Sequence, residues 1–151
     1  MARSEKGVTQ YDFRGALLEA PPDWTEESVL ALSAPGPKPQ PVVSLVRTQV
    51  APDQSLELFA AKRIADLSKA VTGLKIEETR ETTFGGQRGM LLRMSWQEPA
   101  GQLEQRLLFT RFGTVMYLLA MSCISDQLAK TSAAFDSIAA SFRVAPPPGR
   151  P

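Results

Sequence analysis

The residue types that most often do chemistry are nearly missing from this chain. It has no histidine, which removes the commonest general base and the commonest metal ligand. Cys123 is the single cysteine, so neither an intrachain disulfide nor a thiolate metal cluster can form. It sits in the apolar run Ala120-Met121-Ser122-Cys123-Ile124, with no histidine to activate it, and reads as a small hydrophobe. Carboxylates stand side by side at Glu26-Glu27 and Glu77-Glu78. Neighbouring residues point to opposite faces of a strand, so neither pair is expected to work together as acid and base. Gly85-Gly86 invites comparison with a phosphate cradle, but no Lys-Ser/Thr ending and no helix follow, and the pair reads as a turn. The expectation is a protein that is not an enzyme and uses no metal or cofactor.

What the chain does concentrate is soft apolar surface. Met90, Met94 and Met116 fall in register with Trp96 and Phe109. Flexible, polarizable methionine surfaces suit varied apolar ligands, although such a set also serves as ordinary core beneath a helix. Gln105 and Ser122 share that register. In a closed core they would need partners, and in an open groove they could bond a bound chain.

These residues belong to three strands read as a meander: Gln87 to Gln97, Leu103 to Phe112 and Val115 to Ile124. Glu98-Pro99-Ala100-Gly101 and Gly113-Thr114 make the turns. With two-residue connections, Met90, Leu92, Met94, Trp96, Gln105, Leu107, Phe109, Met116, Leu118, Ala120 and Ser122 fall on one side. Leu91, Arg93, Ser95, Arg106, Leu108, Thr110, Tyr117, Leu119 and Met121 fall on the other. A sheet lying on one core shows one polar face. Here both are largely apolar, so either helices cover both faces or one face holds something greasy.

Ahead of the meander, Val8 to Phe13 and Ala16 to Glu19 read as a hairpin. Pro21-Pro22-Asp23-Trp24 interrupts it, with Trp24 expected to lid the core. Ser28 to Ser33 reads as a strand, although its Ala and Leu also allow a helical turn, and Val42 to Val50 reads as a strand after the loop Pro35 to Pro41. Four prolines in those seven residues exclude helix and sheet interior. Asp53 is the expected cap of a helix reaching Val71, with Leu56, Phe59, Ala60, Ile64 and Leu67 as its buried stripe. Leu74 to Phe84, rich in Glu and Thr, suits a sheet edge. After the meander, Asp126 is expected to cap a second helix with the stripe Leu128, Thr131, Phe135, Ile138 and Phe142. Residues 145–151 read as a disordered proline-rich tail following a single domain over 1–144. Four strands, a helix, four strands and a helix do not alternate. The fold class is α+β, with a mostly antiparallel twisted sheet and two main helices.

The 151 residues suit one domain burying roughly 70% of its unfolded surface. Seventeen Lys+Arg against 16 Asp+Glu, scattered rather than striped, supply no field for nucleic acid. The polar start Met-Ala-Arg-Ser-Glu-Lys-Gly lacks the apolar stretch of a signal peptide, and no window approaches a membrane span. A cytoplasmic location without direct membrane insertion is expected.

From about Tyr11 to Val144 the chain resembles the DcrB-type domain of the PsbP-like fold, in its small cytoplasmic branch, the Eag chaperones of bacterial type VI secretion. The resemblance rests on Ala20-Pro21-Pro22-Asp23-Trp24 leading into Ser28-Val29-Leu30-Ala31-Leu32. It continues through Leu45-Val46-Arg47-Thr48 and Ser55-Leu56-Glu57-Leu58-Phe59. Leu103-Glu104-Gln105-Arg106, Arg111-Phe112-Gly113 and Ala140-Ser141-Phe142-Arg143 complete it. The loop Pro35 to Pro41 departs from the compact family pattern.

The resemblance implies a homodimer with a hydrophobic groove that shields N-terminal transmembrane segments of a secreted effector before loading onto the secretion spike. An apolar floor dotted with polar groups imitates the contacts one membrane helix makes with another. On that logic Gln105 is the expected polar contact, with Val29, Ala31, Val43, Leu45, Leu107 and Phe109 as apolar lining. Competing readings are a DcrB-like accessory protein of the cell envelope, which calls for an export signal or lipoprotein cysteine, an enzyme acting on a small hydrophobic ligand, and a structural or immunity protein binding a folded partner.

Overall fold

The computed structural model describes residues 2–5, 7–13, 15–24, 27–36 and 41–144; the expected tail lies outside them. In chain order the elements are β1 (Ala2–Glu5), β2 (Val8–Phe13), β3 (Ala16–Ala20), β4 (Glu27–Ser33), β5 (Val42–Gln49) and α1 (Leu56–Ala70). Then follow β6 (Thr72–Phe84), β7 (Gln87–Glu98), β8 (Gly101–Phe112), β9 (Val115–Ile124) and α2 (Leu128–Ser141). The class is α+β with antiparallel pairing, as the sequence implied. The strands divide between two sheets, β1-β2-β3 and β4-β5-β9-β8-β7-β6.

The expected register of the meander is observed. Met94 pairs with Gln105 and Gln105 with Ser122, while Arg93 pairs with Arg106 and Arg106 with Met121. Glu98 closes on Gly101 and Phe112 on Val115, so both connections are two residues long. Helices lie on both faces. On one, Leu56 and Ala60 of α1 pack with Met90, Leu92, Met94, Trp96, Leu107, Phe109 and Met116. On the other, Phe135 of α2 packs with Val43, Phe84, Leu91, Leu108, Leu119, Met121 and Cys123. The methionine-rich set is therefore core beneath α1.

The segments around the helices depart from expectation in four places. β1 pairs with β2 from Ala2↔Tyr11 to Glu5↔Val8; its Ala-Arg-Ser-Glu lacks apolar alternation, so only backbone pairing marks it. Ser55, not Asp53, caps α1, its hydroxyl accepting from Leu58 N at 3.0 Å. A 3-10 turn, Ser125–Gln127, precedes α2 and takes up Asp126; Gln127 is the cap, and Thr131 Oγ1 donates to its carbonyl at 2.8 Å. Trp24 does not lid the core: the residue is 67% exposed, in a turn that its N–H closes on Pro21 O at 3.2 Å. β6 does occupy a sheet edge.

Candidate functional site

The helices are narrower than the sheet, and each leaves part of its face bare. On the first face α1 packs over β6, β7 and β8. The β4-β5-β9 half lies beside it, with Met116 of β9 buried in the α1 core and Leu118 and Ala120 packed against the edge of that core. Register places Val29, Val46 and Leu118 in one row, Ala31, Ser44 and Ala120 in the next, then Ser33, Val42 and Ser122. Val29 is 56% and Val42 39% exposed, Ala31 and Ser33 are exposed, and the others are half-buried. Three strands about 4.8 Å apart give a floor roughly 10 Å wide, the diameter of a helix. Small residues along the middle row allow close approach.

Gln105 stands where this floor meets the ground under α1. Its Nε2 donates to Ser122 Oγ at 3.3 Å, and its Oε1 is buried without a partner among the described residues. Whichever way the amide is turned, one polar atom is left over. A buried amide atom in that state costs about 1–3 kcal/mol, a cost removed when something supplies the missing group.

The seven lining positions read from the resemblance do not share one surface. Val29, Ala31 and Gln105 border the open floor. Leu107 and Phe109 lie on the same face but are fully buried beneath α1. Phe59 of α1 tilts against Phe109 at 4.9 Å between ring centres. These two are core residues, a correction that follows from where α1 lies. Val43 and Leu45 pair with Met121 and Leu119, so strand alternation turns them to the opposite face. Val42, Ser44 and Val46, their immediate neighbours, take their place on the floor. Alternation marks the even-numbered β5 residues as one set, but only the sheet order reveals which set lies beside Gln105.

The opposite face has its own apolar cleft between α2 and edge strand β4. Leu30, Leu32, Val43, Leu45, Leu119, Ile138 and Phe142 line part of it, enclosing about 240 Å³. A neighbouring space of about 530 Å³ runs along Pro35, Pro41, Lys130, Thr131 and Ala134. β4 thus exposes apolar side chains on both sides, with Leu30 44% and Leu32 46% exposed.

Glu27, in line with Val29 on β4, stands at one end of the floor and accepts from Thr48 Oγ1 at 3.4 Å; Cys123 and Glu78 lie on the other face. Burial pushes the Cys123 thiol up, opposed by the Thr131 side chain beside it. Glu77 and Glu78 do not point to opposite faces as expected. A register shift between Ile76 and Glu78 bulges the strand. Glu77 then accepts from Ser95 Oγ at 3.0 Å, and Glu78 meets Arg93 at 3.3 Å, both partners on the α2 face. Among the described residues, no three His, Cys, Asp or Glu side chains are grouped to hold a metal. No helix of the described residues is long and apolar enough to cross a membrane.

The sequence matches the model of the DcrB family over residues 16–141. None of the curated proteins matches it. Among solved structures, PA94 of Pseudomonas aeruginosa, a protein of unknown function, is similar at 19% identity and a TM-score of 0.74. That match covers 93% of this chain and 99% of PA94. Cyanobacterial PsbP (CyanoP) of Synechocystis is similar at 14% identity and a TM-score of 0.55, over 94% and 95% of the two chains. LpqN of Mycobacterium tuberculosis, described as involved in cell envelope biogenesis, is similar at 15% identity and 0.53, over 83% and 87%. At these identities the likenesses establish the fold, which is PsbP-like.

Proposed function

The chain belongs to the DcrB family, and from that premise we propose that it is a non-enzymatic, cytoplasmic chaperone whose bare sheet floor shields apolar, membrane-type helices of a type VI secretion effector. It acts as a homodimer and hands its client to the secretion spike. One observation carries the reading: the β4-β5-β9 floor is apolar, lined by small residues, as wide as a helix, and bordered by a glutamine with an unsatisfied amide atom. Each feature suits a membrane helix as occupant. In water such a helix exposes apolar area worth about 25 cal/mol per Å² and aggregates. On this floor it finds the contacts it would make with another membrane helix: close backbone approach over Ala31, Ser44 and Ala120, and one hydrogen bond at Gln105.

The test is co-expression with the N-terminal ~60 residues of the effector candidate encoded beside this gene, long enough for two membrane-length helices and their flanks. The wild-type chain should keep that fragment soluble and co-purify with it. Ala31→Asp, a change at an exposed position, should abolish capture while leaving the chaperone folded. Fragment that stays insoluble beside folded wild-type protein overturns the proposal.

A second reading, an accessory protein of the cell envelope, is favoured by the family itself and by the likeness to LpqN. Fractionation of the native producer separates the two, since an envelope protein would leave the cytoplasmic fraction.

A further inference from the structure

Arg93 and Arg106 face each other across β7 and β8, half-buried on the α2 face with side chains 33% and 18% exposed. Like charges directly opposite one another in a sheet repel; Glu77 and Glu104 share their face one pair further along, while the carboxylates in direct reach are Glu78 and Asp136. Glu78 is shared between Arg80 at 2.9 Å and Arg93 at 3.3 Å. Arg106 reaches Asp136 Oδ1 only at 4.0 Å, and that carboxylate is 73% exposed. Arg106 Nε is buried with no partner among the described residues. Beside these groups a cleft of about 290 Å³ opens between α2 and strands β6 to β8, with Leu91, Leu108, Phe135 and Ala139 among its walls.

We propose that this cleft binds a carboxylate carrying an apolar stem, its two oxygens taken by Arg106 and Arg93 and its stem laid on Leu91, Leu108 and Phe135. A planar carboxylate matches the guanidinium fork and can accept from Arg106 Nε while bridging the two like charges. Glu78 and Asp136 on the rim tolerate one negative charge better than two, which favours a carboxylate over a phosphate dianion. The apolar part of the lining, Leu91, Leu108, Phe135 and Ala139, favours an occupant with a stem over a bare inorganic anion. This site lies on the face opposite the helix-binding floor and does not depend on it.

The test uses the full chain labelled with nitrogen-15, following the arginine Nε–H signals during titration with octanoate, 1-octanol and inorganic phosphate. Octanoate should move the Arg106 signal saturably with one-to-one stoichiometry, and octanol and phosphate should bind at least about tenfold more weakly. Arg106→Lys, which keeps the charge but loses Nε and the fork, should weaken octanoate by a similar factor, as should Arg93→Gln. Acetyl-Ala-Ala-Leu with a free terminal carboxylate distinguishes the source. Tighter binding than octanoate identifies a polypeptide terminus, and weaker binding a free amphiphile. No saturable movement of the Arg106 signal with either carboxylate, or equal affinity for octanol, overturns the proposal.

Discussion

Gly85 lies directly beneath the ring of Phe142: a Cβ built on Gly85 would stand 2.6 Å from both Cδ2 and Cε2 of that ring. The contact joins the β6–β7 turn to the residue that ends α2. Phe142 also stacks on Phe84 at 4.3 Å between centres and leans on Tyr117 at 5.4 Å. The end of α2 is thus held by an aromatic group that exists only because the turn has no side chain there.

Gly85 and Gly86 make a natural comparison. Both have positive φ, 62° and 79°, but a Cβ on Gly86 meets nothing within 4 Å. Gly86→Ala should lose about 1 kcal/mol from backbone strain alone. Gly85→Ala adds displacement of Phe142, and a total loss of about 2–4 kcal/mol is expected. Urea denaturation of the two variants measures the difference; equal losses would show that Phe142 moves aside freely.

A similar comparison separates core from floor. Leu107 is fully buried under α1, whereas Val29 is 56% exposed. Leu107→Ala should lose about 2–5 kcal/mol through the cavity it leaves. Val29→Ala should change stability by no more than about 0.5 kcal/mol. Denaturation midpoints check both, and a neutral Leu107→Ala would mean that α1 does not seal that face.

The two sets of alternating residues between Gln87 and Ile124 are legible in the sequence because both turns take two residues, leaving one register that keeps the apolar positions together. The helical stripes are legible for the same reason: Leu56 to Leu67 and Leu128 to Phe142 repeat at helical spacing and bury as expected. What alternation cannot reveal is lateral order. Nothing in Val42 to Gln49 says that β5 inserts beside β9, or that α1 stops short of it, so Leu107 and Val29 look equivalent by pattern alone. Glu77 and Glu78 mislead because the bulge between Ile76 and Glu78 breaks the two-residue period without any glycine to announce it. Trp24 misleads because size alone suggested burial.

Glu78 gives a pH dependence with a definite sign. The hydrogen bond from Arg93, with the charge of Arg80 behind it, outweighs desolvation and holds its carboxyl below the ordinary value of 4.5. A carboxyl depressed in the folded state adds stability above its unfolded value, and that contribution is lost as pH falls from about 4.5 through the lower folded value. The stability difference between wild type and Glu78→Gln should therefore shrink below pH 4.5. It should also shrink in about 1 M salt, which screens partly exposed pairs. A difference constant from pH 7 to 3 would sink this account.

Cys123 should be inert. It is 4% exposed and its thiol is pushed up by burial, so little thiolate forms near neutral pH and none is reachable. Reaction with Ellman's reagent should be slow in native buffer and complete at once in urea. Fast labelling of the native chain would mean that α2 lifts readily from β9.

Gln105 separates stability from function most sharply. Its amide keeps one hydrogen bond, to Ser122, while Oε1 lies buried without a partner among the described residues. Gln105→Leu is close in size, removes the unsatisfied atom and leaves Ser122 half-exposed, where water can reach its hydroxyl. The variant should be more stable than wild type by about 1 kcal/mol, since an unsatisfied buried atom costs about that much or more. If the amide serves the bound helix, the same variant should capture the effector fragment less well despite its firmer fold. Denaturation and co-purification on one preparation test both. A variant that is less stable would mean that Gln105 is tied into the fold by more than Ser122. A variant that is more stable and captures equally well would show that the floor needs no polar contact.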